Sequence, residues 1–441
     1  MRIPIESLES KFIAYHHVRA VDIHGWFVLD SRLDLETLSK AIKAVCKEFP
    51  ILTSRVIDLW SHPYYKTLQA LPSLYHSSID WNNIYEVPKE FFSIFEEKID
   101  VYQGPLVKFF YFESKSQKYT IFGIKFNHCV ADGLGGLRIL DLVAEYYTAF
   151  LEKRQIERPV GRTDRNLELI YQRFPTKIMQ RLKKDFLRAV IDFFLLTRHP
   201  DKLLNCEAAD QITITPIYFF ESDTKQIKAF ARQNNASFND LLTAAIAWTY
   251  YRWNGRIKRF RILIPQDLRF YAQNMRGIPL DHGYWLPVAN IVGVFYLDIL
   301  GKDFKTKEEL LRIVQQKTHF AKETHQGLAN LSYLGQNVTQ VPIPLFRRIF
   351  SKIGIKKFGK FIRSSALFTN GGAIPSGRFN FGNAKPVLFS AVLPPIPGLP
   401  VVVTATGMKN SISLILTHNK HGFDKNRFIS YLKEFLLNEN K

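Results

Sequence analysis

The chain has 441 residues, 46% of them hydrophobic and 23% charged, with 60 Lys and Arg against 40 Asp and Glu and a formal charge of +20. That profile suits a globular protein of two domains, each of roughly 150 to 220 residues, and excludes a disordered chain. The cysteines Cys46, Cys129 and Cys206 are odd in number and scattered; they indicate neither a disulfide framework nor a zinc site, and they fit a reducing cytoplasm.

The first residues, from Met1 to Lys11, lack the apolar core of a signal peptide. Residues 20–29 read as a strand. Asp34 then caps a helix over 34–49, with Leu35, Leu38, Ile42 and Val45 on one face. Residues 119–127 are rich in β-branched and aromatic side chains, with Phe122, Ile124 and Phe126 alternating against Gly123 and Lys125, the pattern of a half-buried strand. Beyond it Leu137, Leu140, Ala144, Tyr147 and Leu151 recur at helical spacing.

Residues 152–165 are charged and contain Pro159 and Gly161, which marks the end of a first unit over 1–165. A basic helical connector over 166–205 follows, and a second unit over 206–441. In that second unit residues 211–220 read as a strand. Ser237 caps a helix carrying Phe238, Leu241, Leu242, Ala245 and Trp248, and residues 259–264 form a strand ending at Pro265. The alternation of strands and helices predicts a mixed α/β fold. The long uncharged stretch Pro386 to Met408 holds five prolines and is no spanning helix, so a cytoplasmic or peripheral protein is expected.

Charge is uneven. No acidic residue falls between Glu323 and Asp424, and basic and apolar residues interleave over 173–202 and 345–363. Such segments suit an anionic membrane surface, an acidic carrier protein or a phosphorylated ligand, or they are ordinary helices with lysines in water. Nucleic acid is disfavoured, because no zinc finger, RNP-type strand or basic zipper accompanies the charge.

The chemistry concentrates at Asn127-His128-Cys129-Val130-Ala131-Asp132-Gly133-Leu134-Gly135-Gly136, where the strand passes into the helix. A neutral imidazole there can take a proton from an alcohol or amine as it attacks an electrophile. An activated thioester needs no enzyme nucleophile. No Gly-x-Ser-x-Gly elbow is present and Cys129 points away from His128 in strand geometry, so covalent catalysis is disfavoured. The glycines open a helix N-terminus suited to a developing oxyanion. The plainer reading is a satisfied core histidine with Asp132 as a helix cap.

The run His128-Cys-Val-Ala-Asp132-Gly133 resembles the HxxxDG signature of the acyltransferase superfamily that includes chloramphenicol acetyltransferase, nonribosomal condensation domains, BAHD enzymes and wax-ester or alcohol acyltransferases. Pro265-Gln-Asp267-Leu268-Arg269 resembles the family's Asp-Leu-Arg segment, and Phe368-Thr369-Asn370-Gly371-Gly372 its Ser/Thr-Asn-x-Gly segment. Residues 380–386, from Asn380 to Pro386, resemble a degenerate DFGWGKP. The strand from Ser411 to His418, followed by Phe423-Asp424 and a helix, also fits. Two departures stand out: Asn127 replaces the first histidine of condensation domains, and Asn380 and Asn383 alter the BAHD motif.

The resemblance implies two chloramphenicol-acetyltransferase-like lobes in a V with a tunnel between them and His128 at its middle. His128 is then the general base and Asp132 a structural support held by Arg269. Gly133 keeps space open, and Asn127, Asn370 and Gly371 are substrate or tunnel candidates. No permanently bound cofactor and no metal are implied. The expected reaction moves an acyl group from acyl-CoA, or from the phosphopantetheine of an acidic acyl carrier protein, to a hydroxyl. Amide formation on an amine, and an inactive carrier-protein or lipid-binding member, are the alternatives.

Overall fold

The structure is a computed structural model describing residues 1–16, 21–58, 62–116, 118–156, 165, 180, 184, 200–204, 206, 211–269, 288–328, 343–345, 348, 364–375, 377–393 and 398–438. The segment read as a connector and the two basic stretches at 173–202 and 345–363 lie almost wholly outside these residues.

In the first part of the chain come β1 (Arg2–Pro4), α1 (Ser7–His16), β2 (Asp22–Leu29), α2 (Leu35–Glu48), β3 (Ser54–Ile57), β4 (Tyr64–Thr67), β5 (Leu74–Ile79), α3 (Lys89–Glu96), β6 (Val107–Ser114), β7 (Thr120–Asn127) and α4 (Gly133–Leu151). The second part holds β8 (Ile212–Phe220), α5 (Glu221–Gln233), α6 (Phe238–Asn254), β9 (Arg259–Asp267), β10 (Val292–Leu300), α7 (Lys307–Glu323), β11 (Ala366–Ala373), β12 (Pro386–Val392), β13 (Val401–Gly407), β14 (Ser411–Asn419) and α8 (Lys425–Leu436). The strands form a small sheet ordered β1-β4-β3, a five-stranded sheet ordered β12-β2-β7-β6-β5 and a six-stranded sheet ordered β10-β9-β11-β13-β14-β8. The fold is mixed α/β, as the alternation of elements predicted. Among the described residues no helix is long and apolar enough to cross a membrane.

Several expected caps are in place. Asp34 accepts from the Thr37 amide at 2.8 Å at the start of α2. Ser237 and Asp240 form a reciprocal capping box that opens α6. Each satisfies amides that the first helical turn leaves without an intrahelical acceptor.

The five-stranded sheet is covered on both faces, so β7 is buried at every position, not half-buried as its alternation suggested. One face carries Phe122, Ile124 and Phe126 against α2 and α4, with Leu38, Ile42, Ile139 and Val143 in the same cluster. The other face packs Trp26, Phe110 and Ile121 with Phe91 and Ile94 of α3. Full burial of each such aromatic contributes about 1.5–3 kcal/mol. Lys125, on this second face, reaches the carbonyls of Ile94 (2.7 Å) and Glu97 at the end of α3 and lies 3.7 Å from Asp22. The cation therefore complements the negative end of that helix.

Two features could not be placed from pattern alone. Strand β9 does not stop at Pro265 but continues to Asp267, with Pro265 opposite Val294 of β10. On its other side β9 pairs with β11 only at Ile262 and Leu263, so the proline's missing donor interrupts no ladder. Strand β12 leaves the second half of the chain and completes the first sheet, pairing antiparallel with β2. It also touches the six-stranded sheet, with Ser390 Oγ 2.8 Å from Ser413 Oγ and the Thr406 hydroxyl donating to the Phe389 carbonyl at 2.7 Å. A division into units 1–165 and 206–441 is therefore crossed by one strand. The 380–386 segment that resembles DFGWGKP is the turn feeding this crossing. Phe381 packs against Phe122 and Tyr147, and Thr148 of α4 is bonded to Asn380 and Gly382.

Candidate active site

The turn from β7 into α4 is fixed from several sides. Asn127 donates to Asp22 Oδ1 at 2.9 Å and accepts from the Cys129 amide at 3.1 Å. The His128 amide donates to the Val21 carbonyl at 2.8 Å. Behind the turn, Arg165 donates to the Val130 carbonyl at 2.8 Å and pairs with the buried Glu9. The Tyr65 hydroxyl lies 3.1 Å from Glu9 and 3.0 Å from the Cys129 carbonyl. Cys129 is fully buried here, and burial pushes its thiol far up, which removes it as a nucleophile.

Asp132 caps α4 by accepting from the Gly135 amide at 2.9 Å. It is also the centre of a link between the two halves of the chain. Arg269 binds it with two parallel bonds, 2.9 and 3.0 Å, and the Ile291 amide donates to it at 2.8 Å. Arg269 further donates to the Ala289 carbonyl at 2.9 Å and to Asp267 Oδ1 at 3.1 Å. A planar guanidinium suits this forked pairing with a carboxylate. The structure thus brings Asp132 and Arg269 together in a nearly water-free site, with side chains 7% and 2% exposed.

His128 is 9% exposed. The Asn290 amide nitrogen donates to the His128 carbonyl at 2.8 Å, which leaves its Oδ1 against His128 Nδ1 at 3.0 Å. Since Oδ1 only accepts, this network assigns the ring proton to Nδ1 and the lone pair to Nε2. Phe12 of α1 stacks on the imidazole, centroids 3.7 Å apart and planes 10° apart. Burial holds His128 below the ordinary histidine value, against the opposing pull of its own carbonyl, Asp132, Asn290 and the Ala131 carbonyl. The result is an oriented imidazole whose charged form is disfavoured. Asn290 and Phe12 escaped the sequence reading. A lone polar residue within the apolar run Val288-Ala-Asn-Ile-Val292 was the available signal for the first.

A cleft enclosing about 750 Å³, open solvent included, lies between the two large sheets. It forms where β9 and β11 part after Leu263 and Leu367, and Pro265, Asp267, Thr369, Asn370 and Gly371 line the gap. Ile23, Ile124, Phe126, Leu140 and Phe389 supply an apolar wall from the other sheet. Gly133 lines it too, and a Cβ there would meet nothing within 4 Å. The lining includes Asp132 and Gly133, whereas His128 lies outside it, stacked under Phe12. Asn370 is tied to Asn239 at 2.6 Å and to the Gly372 amide at 2.8 Å, so its side chain holds the strand bulge as well as facing the cleft. Among the described residues no three His, Cys, Asp or Glu side chains gather as a metal site.

No family model matches the chain, and no curated protein matches it. Solved structures do. The first condensation domain of the calcium-dependent antibiotic synthetase, in complex with a substrate analogue, aligns with a TM-score of 0.71 at 14% identity, over 99% of this chain and 95% of that one. The epimerization domain from the third module of tyrocidine synthetase B aligns with a TM-score of 0.68 at 12% identity, over 99% and 96%. The starter condensation domain of rhizomide synthetase, in complex with C8-CoA and Leu-SNAC, gives 0.65 at 12% identity, over 99% and 93%. The chain has the condensation-domain fold.

Proposed function

We propose that this chain is an acyltransferase that moves an acyl group from a thioester, on CoA or on a carrier protein's phosphopantetheine, to a hydroxyl or amine acceptor. The observation that carries the reading is the setting of His128: stacked under Phe12 and held through Nδ1 so that Nε2 is the basic atom. Nε2 takes the acceptor's proton as its oxygen or nitrogen bonds to the thioester carbonyl carbon. The tetrahedral adduct collapses with cleavage of the carbon–sulfur bond, and the imidazolium returns its proton to the departing sulfur. General-base assistance of this kind contributes about two to four decades in rate. Asp132 and Arg269 keep the turn, and thus the base, in register between the two sheets.

An ester product is the leading expectation from the sequence resemblance. The amide alternative uses the same base, and the rhizomide neighbour holding C8-CoA with the amine Leu-SNAC supports it. The test is a thiol-release screen of acyl-CoAs of graded length and loaded carrier proteins against pooled alcohols and amines, with products read by mass. His128→Ala is expected to fold normally and to lose at least about a hundredfold in rate. Thiol release surviving in His128→Ala at the wild-type rate rejects the assignment. A wild-type protein that binds thioesters without turnover supports the inactive alternative.

A further inference from the structure

Among the described residues, the ionisable side chains around the cleft do not balance. Its lining includes Asp132, Asp267 and Arg269; His24 also borders it, but its ring packs with Phe91 and Phe95 on the far face of the sheet. Among the described residues two carboxylates therefore share one guanidinium, leaving one negative charge among them in a chain whose formal charge is +20.

That charge is not shared evenly. Asp132 is saturated: Oδ1 accepts from Arg269 and Gly135, Oδ2 from Arg269 and Ile291. Asp267 is half satisfied. Its Oδ1 accepts from the Arg269 side chain at 3.1 Å and the Arg269 amide at 3.0 Å, while Oδ2 has no hydrogen-bond partner among the described residues. The side chain is 35% exposed and borders the cleft. Elsewhere the wall is largely hydrocarbon, from Ile23, Ile124, Phe126, Leu137, Leu140 and Phe389.

We propose that Asp267 is a specificity-determining residue that selects a ligand with a protonated amine on an apolar body. The proposal rests on the acyl-transfer reading of this cleft and narrows its substrate class. An ammonium facing Oδ2 completes the carboxylate's bonding and cancels the residual charge; a hydroxyl can donate the bond but not the charge. Burial, with Asp132 nearby, raises the Asp267 carboxyl above its ordinary value despite Arg269, the mark of a carboxylate short of compensation.

The test measures binding, so it stands apart from turnover. The full chain is titrated calorimetrically at pH 7 with n-octylamine, n-octanol and octanoate. Octylamine is expected to bind about tenfold or more tightly than octanol, the usual margin of a charge-assisted bond over a neutral one. Asp267→Asn keeps an Oδ1 for both Arg269 donors and removes the charge. It is expected to erase the difference while octanol affinity stays within about twofold. Diffuse attraction to a basic protein favours octanoate instead, so an octanoate preference overturns the proposal. Equal binding of amine and alcohol, no saturable amine binding, or an amine preference that persists in a folded Asp267→Asn protein overturns it as well. Absence of thiol release with the amine preference intact defeats the acyl-transfer reading alone.

Discussion

Arg269→Ala is expected to cost the protein a large share of its stability. The guanidinium makes two bonds to Asp132 at 2.9 and 3.0 Å, one to the Ala289 carbonyl at 2.9 Å and one to Asp267 at 3.1 Å. Removing it leaves Asp132, 7% exposed at its side chain, with only the Gly135 and Ile291 amides. A buried carboxylate stripped of its counter-charge costs about 3–5 kcal/mol, against a total stability on the order of 5–15 kcal/mol. Urea unfolding followed by tryptophan fluorescence measures the loss. The double variant Asp132→Asn with Arg269→Met, which removes both charges, is expected to be more stable than Arg269→Ala alone. A loss below about 1 kcal/mol, the scale of an exposed pair, refutes the view that this pair is a desolvated link between the halves.

Three further outcomes follow from other sites. Burial holds His128 below the ordinary histidine value, so under the proposed general-base role activity is expected to persist through the ordinary histidine range and to fall only as pH drops through the depressed value; Phe12→Ala wets the ring, and the acid limb of kcat/KM is expected to move to higher pH, with Phe12→Tyr restoring it. His24 is fully buried, its ring nitrogens have no hydrogen-bond partner among the described residues, and burial with the Lys125 charge holds it well below the ordinary value. The unfolded chain then takes a proton that the folded one refuses, so stability is full above the unfolded value and declines as pH falls through it, by up to about 1.4 kcal/mol per pH unit; His24→Leu is expected to flatten that decline in denaturation at pH 5 to 7. A Cβ on Gly136 would lie 2.3 Å from the Phe126 ring, whereas one on Gly133 meets nothing within 4 Å; Gly136→Ala is expected to lose about 1–3 kcal/mol to overpacking and Gly133→Ala under about 0.5 kcal/mol, and equal melting temperatures would contradict this account.

The turn from β7 into α4 was legible because its signals are local. A β-rich run, a capping aspartate and a helical repeat sit side by side over 119–151, and each reports its own backbone. Arg269 entered only through the family pattern, since nothing near it in sequence shows that its partner is 137 positions away. Asn290 is 162 positions from His128, and Phe12 belongs to a helix with no marked apolar face, so neither had a local signature. The burial of Lys125 departs from the half-buried pattern for a related reason. Alternation says which side chains share a face, but not that a second helix's carbonyl end covers the other one. Likewise the apolar run at 386–392 declares burial and says nothing about which sheet it joins.

The crossing of β12 bears on how this protein is made. Its entry bond, from the Lys385 amide to Asp30, spans 355 positions. At about 5–20 residues per second, β2 waits roughly 20–70 s on the ribosome before its outer neighbour is synthesised. During that interval the nascent sheet presents an open edge with Phe27 and Leu29, both fully buried in the finished protein. An unpaired edge of that kind recruits foreign strands. The chain's first half is thus the part expected to need a chaperone, and expressing it alone should yield aggregates that co-production of the second half relieves.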